Sequence, residues 1–241
     1  MRSHNPGDHK GRAGDHKGRP RVAPTGESVC GDNAMKLPLV CFILCAVLIF
    51  GFRVGLQLRR TGDHGLRLAK QTSTATEVAA TVLQACALFG VLVLTVLDTM
   101  SHLPGQLDLG LPGTIAGVVV CALAVAITML SQYQMGDAWR IGVDASEKNR
   151  LVTDGMFKLS RNPIYSGMLL VGIGFVMLVP HVLMVCCAVL SYIGFEIQVR
   201  KVEEPYLRSS HGENYGEYCR NVGRYFPRLR GTRNHNSRVS K

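Results

Sequence analysis

Charge is scarce in this sequence: only 18% of its 241 residues are Asp, Glu, Lys or Arg, against 47% hydrophobic, and the mean hydropathy is +0.15. A soluble domain carries roughly 25% charged residues, so a surface that faces water all round is excluded. Metal-type cysteine pairs are lacking as well. Eight cysteines occur, none of them in a Cys-x-x-Cys spacing. Cys41, Cys45, Cys86, Cys121, Cys186 and Cys187 lie inside apolar blocks, where cysteine acts as a small hydrophobe. Free thiols and no metal site are the expectation. No basic stretch is interleaved with aromatics, so the net charge of +10 does not point to a nucleic-acid partner. It belongs to loops and tails, where it sets topology and attracts anionic headgroups of the lipid bilayer.

What is present is a series of apolar blocks, most of them near the roughly 20 residues a helix needs to cross a bilayer. They run from about Leu37 to Leu58, Val78 to Leu97, Thr114 to Leu130, Ile164 to Val179 and Val182 to Val199. Pro180-His181 separates the last two and predicts a tight helical hairpin. The loop after the first block holds Arg59, Arg60, Arg67 and Lys70, and the loop after the third holds Arg140, Lys148, Arg150, Lys158 and Arg161. The segment Ser101–Gly113 between them has neither lysine nor arginine. Positive charge gathers on the cytoplasmic side, which places those two basic loops and the C-terminal tail inside. The fold class expected is all-α: an integral, multi-pass membrane protein with about five transmembrane helices, in the plasma membrane if the source is bacterial.

The first 34 residues are of another kind. Gly7-Asp8-His9-Lys10-Gly11-Arg12 recurs word for word as Gly14-Asp15-His16-Lys17-Gly18-Arg19. With almost no apolar content such a stretch does not offset its ordering entropy. Its basic residues also conflict with an outside N-terminus, so Met35 is read as the true start. The organisation expected is thus a disordered tail over 1–34, three membrane helices over 35–134, a catalytic region over 135–230 and a basic disordered tail over 231–241.

The polar residues that call for explanation cluster around the last hairpin. Asn162-Pro163 predicts a helix start, with Asn as cap and Pro at the first helical position. A helix beginning there presents backbone N–H groups that suit a carboxylate. Gly167, Gly172 and Gly174 follow, small enough for close approach of a helix or ligand. A capped membrane helix explains the Asn, Pro and Gly, but not the flanking Arg161 and Tyr165. Beyond the hairpin, Glu196, Arg200, Glu203 and Leu207 fall on one face of a continuing helix. Glu196 lies near lipid depth, where an ionisable group is either functional or snorkels in a salt bridge with Arg200. Taken alone, Glu203-Glu204 reads as a solvated charge pair.

Four motifs stand in order. They are Arg161-Asn162-Pro163-Ile164-Tyr165, Glu203-Glu204-Pro205-Tyr206-Leu207, Gly212-Glu213-Asn214-Tyr215-Gly216-Glu217-Tyr218 and Val222-Gly223-Arg224-Tyr225-Phe226-Pro227. Together they resemble the isoprenylcysteine carboxyl methyltransferase and phospholipid methyltransferase family, and Met135–Asp144 is similar to its bacterial branch. The resemblance covers about Met135 to Pro227. It implies S-adenosyl-L-methionine as cofactor, in a cytoplasmic pocket beside the hairpin, held by Asn149, Arg150, Leu151, Val152, Phe157, Asn162, Pro163, Ile164, Tyr165 and Glu203. The chemistry is compatible: the cofactor's carboxylate suits a helix N-terminus, its ammonium suits Glu203, and its sulfonium suits the face of Tyr165. Arg200, Glu203 and Tyr165 are the candidate catalytic residues. Arg200, and after it Arg140, are the candidates for orienting a carboxylate acceptor by bidentate pairing.

Asn162 stands where the family motif commonly has histidine, Phe157 where tyrosine is frequent, and Val199, not Arg200, where isoprenylcysteine enzymes carry their substrate arginine. The function implied is transfer of a methyl group to a lipophilic acceptor, isoprenylcysteine-carboxylate-like. Amine N-methylation of a phospholipid and S-methylation of a small thiol stand beside it. A sterol-reductase-like oxidoreductase using NADPH and a non-enzymatic membrane protein are the readings from other classes.

Overall fold

The computed structural model describes residues 27–61, 74–136 and 151–228. Asn149, Arg150 and Arg140, most of the 1–34 tail and the 231–241 tail lie outside the described residues. The architecture is all-α, and among the described residues the only β pairing is an isolated bridge. Helix α1 (Glu27–Ala46) leads through a π-turn, Val47–Gly51, into α2 (Phe52–Thr61). Then come α3 (Ala75–Thr99), α4 (Gly110–Met135), a 3₁₀ turn at Gly155–Lys158, α5 (Pro163–Leu178) and α6 (Val182–Ile197). A second π-turn, Gln198–Glu203, carries α6 into α7 (Glu204–Asn221).

Among the described residues, four helical stretches are long and apolar enough to span a membrane: Leu37–Gly55, Ala75–Thr99, Gly110–Met135 and the run from Val182. The fifth apolar helix, α5, is shorter; its 16 residues reach about 24 Å at 1.5 Å per residue, less than a bilayer's hydrocarbon core. The protein is a multi-pass membrane protein. Helix α1 extends upstream of the expected boundary at Met35, since adding a residue to an existing helix gains a hydrogen bond without a new nucleus.

Two helix pairs form the body, α4 against α5 and α3 against α6. The first is built on small residues. A β-carbon placed on Gly167 would lie 2.1 Å from Thr128 Oγ1 and 3.0 Å from the Ala124 carbonyl, and one on Gly174 would lie 2.4 Å from Cys121 Sγ. Backbones in contact at this range gain the dispersion and hydrogen-bond terms that hold helices together in lipid, where apolar burial from water contributes nothing. The hydroxyls of Thr95, Thr99, Thr128 and Ser131 are satisfied within their own helices, as Thr128 is by the Ala124 carbonyl at 2.8 Å. Gln132, almost fully buried, instead donates to the Ile49 carbonyl in the first π-turn, 3.3 Å away.

Two of the loops expected on one side of the membrane meet. Leu107 N–H bonds the Pro180 carbonyl at 2.9 Å, so the α3–α4 loop and the α5–α6 turn share one end of the bundle. The start of α5 and the second π-turn lie at the other. A cavity of about 550 Å³ at the Pro180 end is lined by residues such as Asp98, Gln106 and Met177; it is remote from the four motifs.

Candidate active site

At the end where α5 begins, three stretches far apart in sequence meet: Ser160–Tyr165, the second π-turn with Glu204, and the segment Val222–Tyr225. Pro163 occupies the first position of α5, as expected, but the Asn162 side chain makes no cap to its own helix. Its amide reaches instead for the Arg224 carbonyl at 3.3 Å, beside its own backbone N–H at 3.0 Å. The Asn162 amide is thus spent as a donor to another segment of the chain, and its side chain gives the first N–H groups of α5 no acceptor. Ser160 Oγ lies 2.9 Å from the same carbonyl, Arg161 N–H bonds the Gly223 carbonyl at 2.8 Å, and a single parallel β-bridge pairs Ser160 with Gly223. Ser166 Oγ lies 2.8 Å from the Tyr225 carbonyl. The closing motif is therefore a strap laid along the entry to α5.

Tyr165, in the first turn of α5, stacks on Phe195 of α6 with ring centroids 4.8 Å apart, and its hydroxyl donates to Glu203. Phe157 is buried in the 3₁₀ turn, where its carbonyl accepts from Tyr218 at 2.6 Å. Pro163 and Ile164 are buried as well, while Leu151 and Val152 are half-buried. Phe157, Asn162, Pro163, Ile164, Tyr165 and Glu203 therefore gather at one end of the bundle. Arg200 is not drawn into this cluster: its side chain is 56% exposed and pairs with Glu196, the local salt bridge that was the alternative for Glu196.

The expected common face of Glu196, Arg200, Glu203 and Leu207 needs correction. The π-turn bonds i to i+5, with the Glu204 N–H on the Val199 carbonyl, so one extra residue enters the turn and everything after it is rotated. Glu196 and Arg200 still meet, Val199 is fully buried, and Glu203 turns to Tyr165. Glu204 is no solvated charge. Its carboxylate takes Arg224 through two bonds, 2.9 and 3.1 Å, and Arg161 at 3.2 Å. The side chains of Arg161 and Glu204 are each 10% exposed, and Arg224 also lies 3.7 Å from Glu196. The Glu204 carboxylate holds the Arg224 guanidinium above its usual pKa, and burial pushes the Tyr225 phenol up.

Two adjacent carboxylates thus have opposite surroundings. Glu204 is neutralised by two arginines, whereas Glu203 has, among the described residues, no ion-pair partner and accepts from the Tyr165 hydroxyl. A carboxylate in that position fits the ammonium group of an amino-acid-like cofactor. Arg224, Glu204 and Tyr218 are the residues that sequence reasoning missed; the available signal was that each stands inside one of the four motifs.

Residues 112–214 match the phospholipid methyltransferase family. The match runs from the first turn of α4 into α7 and takes in the Tyr165–Glu203 pair. It supports the resemblance carried by the motifs, and with it a membrane methyltransferase. Among solved structures, the chain is similar to the eukaryotic intramembrane Ras methyltransferase, isoprenylcysteine carboxyl methyltransferase, at 17% identity and a TM-score of 0.48, covering 86% of this chain and 69% of that one. A comparison with curated proteins finds no match.

Helix α7 carries the Gly-x-x-Tyr-x-x-Tyr motif around a bend. Gly212 has φ +52° and ψ −127°, a conformation open to glycine and costly for any residue with a β-carbon. The bend returns Tyr215 and Tyr218 to buried positions. Gly212→Ala is expected to lose about 1–3 kcal/mol, read as a lower melting midpoint of the purified protein; an unchanged midpoint would show that the bend relaxes freely.

Proposed function

We propose that the protein is an S-adenosylmethionine-dependent methyltransferase whose site opens between the start of α5 and the second π-turn. The observation that carries this reading is the contrast, among the described residues, between Glu204, paired with two arginines, and Glu203, paired with none. Glu203 is half-buried, a carboxylate partly withdrawn from water without a cation beside it is costly, and a ligand ammonium removes that cost. The first N–H groups of α5 have no intrahelical partner and suit the ligand's carboxylate. Tyr165, steadied by Phe195, offers an aromatic face for a sulfonium. Bound there, the cofactor would supply an electrophilic methyl group. The chain's task is then alignment and exclusion of water, because a carboxylate acceptor is already nucleophilic and needs no base.

The acceptor is a lipophile that enters from the bilayer, of isoprenylcysteine-carboxylate type, methylated on oxygen. Arg200, exchanging Glu196 for the acceptor's carboxylate, orients it, and Arg140 assists. The basic residues of the flanking loops put the site on the cytoplasmic face, at the plasma membrane in a bacterial cell. The test is calorimetric titration of the detergent-purified full chain with S-adenosylhomocysteine and, in parallel, with NADPH. Saturable binding of the first and none of the second is expected. NADPH binding alone would replace this reading with the reductase one, and no binding of either by folded protein would leave a non-enzymatic role.

A further inference from the structure

The pocket proposed above has two walls on different parts of the chain, Asn162–Tyr165 on one and Glu203 on the other. Among the described residues, the Tyr165–Glu203 hydrogen bond is the one direct polar tie between these walls, and a ligand ammonium competes for the same carboxylate. Something else must fix their separation. Arg224 contacts both sides. Its carbonyl takes the Asn162 N–H at 3.0 Å, the Ser160 hydroxyl at 2.9 Å and the Asn162 amide at 3.3 Å. Its guanidinium takes both oxygens of Glu204, the residue next to Glu203, at 2.9 and 3.1 Å. Arg161, next to Asn162, reaches the same carboxylate at 3.2 Å.

We infer that Arg224 is a positioning residue for the cofactor pocket: one residue, through its main chain and its side chain, sets the distance between Asn162–Tyr165 and Glu203. This inference rests on the methyltransferase reading. The planar fork matters because two parallel bonds to one carboxylate fix orientation as well as distance. Glu204 serves as the other end of the same strut. It touches no cofactor, so the acidic pair divides into one residue that binds and one that holds.

The test uses full-length protein in detergent with S-adenosylhomocysteine as probe. The variants are R224K, R224M, E204Q and the double variant R224M/E204Q, with R220A as control because Arg220 pairs with Glu213 on the exposed surface. Each sample is followed by thermal melting and size exclusion, so that affinity is counted per folded molecule. R224M and E204Q are each expected to weaken binding on the order of tenfold or more, since displacement of site groups by an ångström costs up to about a hundredfold. The double variant should lose little beyond either single one, as partners in one contact are not additive. R224K, which keeps the charge and loses the fork, should recover part of the affinity, and R220A all of it.

Folded R224M with the wild-type affinity would overturn the positioning role. So would losses that simply add in the double variant, or losses explained by the unfolded fraction. If R224M does not fold, R224K and E204Q carry the same comparison. Wild-type protein that binds no S-adenosylhomocysteine would overturn the methyltransferase reading itself; wild-type binding with unaffected variants would sink the strut alone.

Discussion

Glu203→Ala is expected to abolish measurable S-adenosylhomocysteine binding while leaving the helical bundle folded. Two losses occur. The ligand's ammonium forfeits a charge-assisted hydrogen bond worth ~1.5–3 kcal/mol, which at about 1.4 kcal/mol per tenfold change is roughly one to two orders of magnitude in affinity. The Tyr165 hydroxyl is also left without its acceptor, at a cost of about 1–3 kcal/mol that falls on the stability of free and bound protein alike. Glu203→Gln separates the two effects, because the amide oxygen still accepts from Tyr165 while the charge is gone. Tyr165→Phe removes the hydroxyl and keeps the ring stacked on Phe195, so a smaller loss is expected from it. The order in affinity should be wild type, then Tyr165→Phe, then Glu203→Gln, then Glu203→Ala, read by titration calorimetry on monodisperse samples. An alanine variant that binds as tightly as wild type would move the ammonium site away from Glu203.

The second large effect lies in the bundle. Gly174→Leu should prevent α4 and α5 from closing. The first atom of the new side chain already meets Cys121 Sγ at 2.4 Å and, at 3.2 Å, both the Cys121 nitrogen and the Gly117 carbonyl. A thiol can rotate away, but backbone cannot. Overpacking typically costs about 1–3 kcal/mol in cores that relax around it; here the contact is helix backbone, so a value at or above the top of that range is expected. Gly167→Leu meets the Ala124 carbonyl at 3.0 Å and Thr128 Oγ1 at 2.1 Å, nearer the start of α5, and should cost cofactor binding along with stability. Gly172 is the control, with Ala188 of α6 no closer than 3.6 Å to an added β-carbon; Gly172→Ala should melt like wild type. Melting followed by tryptophan-independent scattering or size exclusion reads all three. Equal melting of Gly174→Leu and wild type would mean that α4 and α5 are not packed as described.

Much of this was legible in the residues. The apolar blocks dictate helices because backbone groups in lipid must be satisfied within their own segment, and Pro180-His181 marks the hairpin turn. Pro163 marks the start of α5 because its ring fits a first turn that needs no N–H from it. The Tyr165–Glu203 juxtaposition was implied by a resemblance of motifs. Three things were not legible. Helical periodicity assumed i to i+4 bonding through Glu203, and the π-turn, which no local composition announces, rotates Glu203 and Glu204 onto different neighbours. Asn162 has the chemistry of a cap, yet its amide bonds a carbonyl 62 residues away. Arg224 sits in a short polar motif whose role depends wholly on what it touches.

The sequence by itself therefore determined which segments cross the membrane and where α5 and the hairpin begin, since hydrophobic length and proline geometry act within a few residues of where they are written. Only the tertiary structure decided which glutamate, among the described residues, stays without a cation and which is held by two. That choice depends on a one-residue shift in helical phase and on a strap arriving from the far end of the chain, and pairing across such a distance is set by packing that local pattern does not encode.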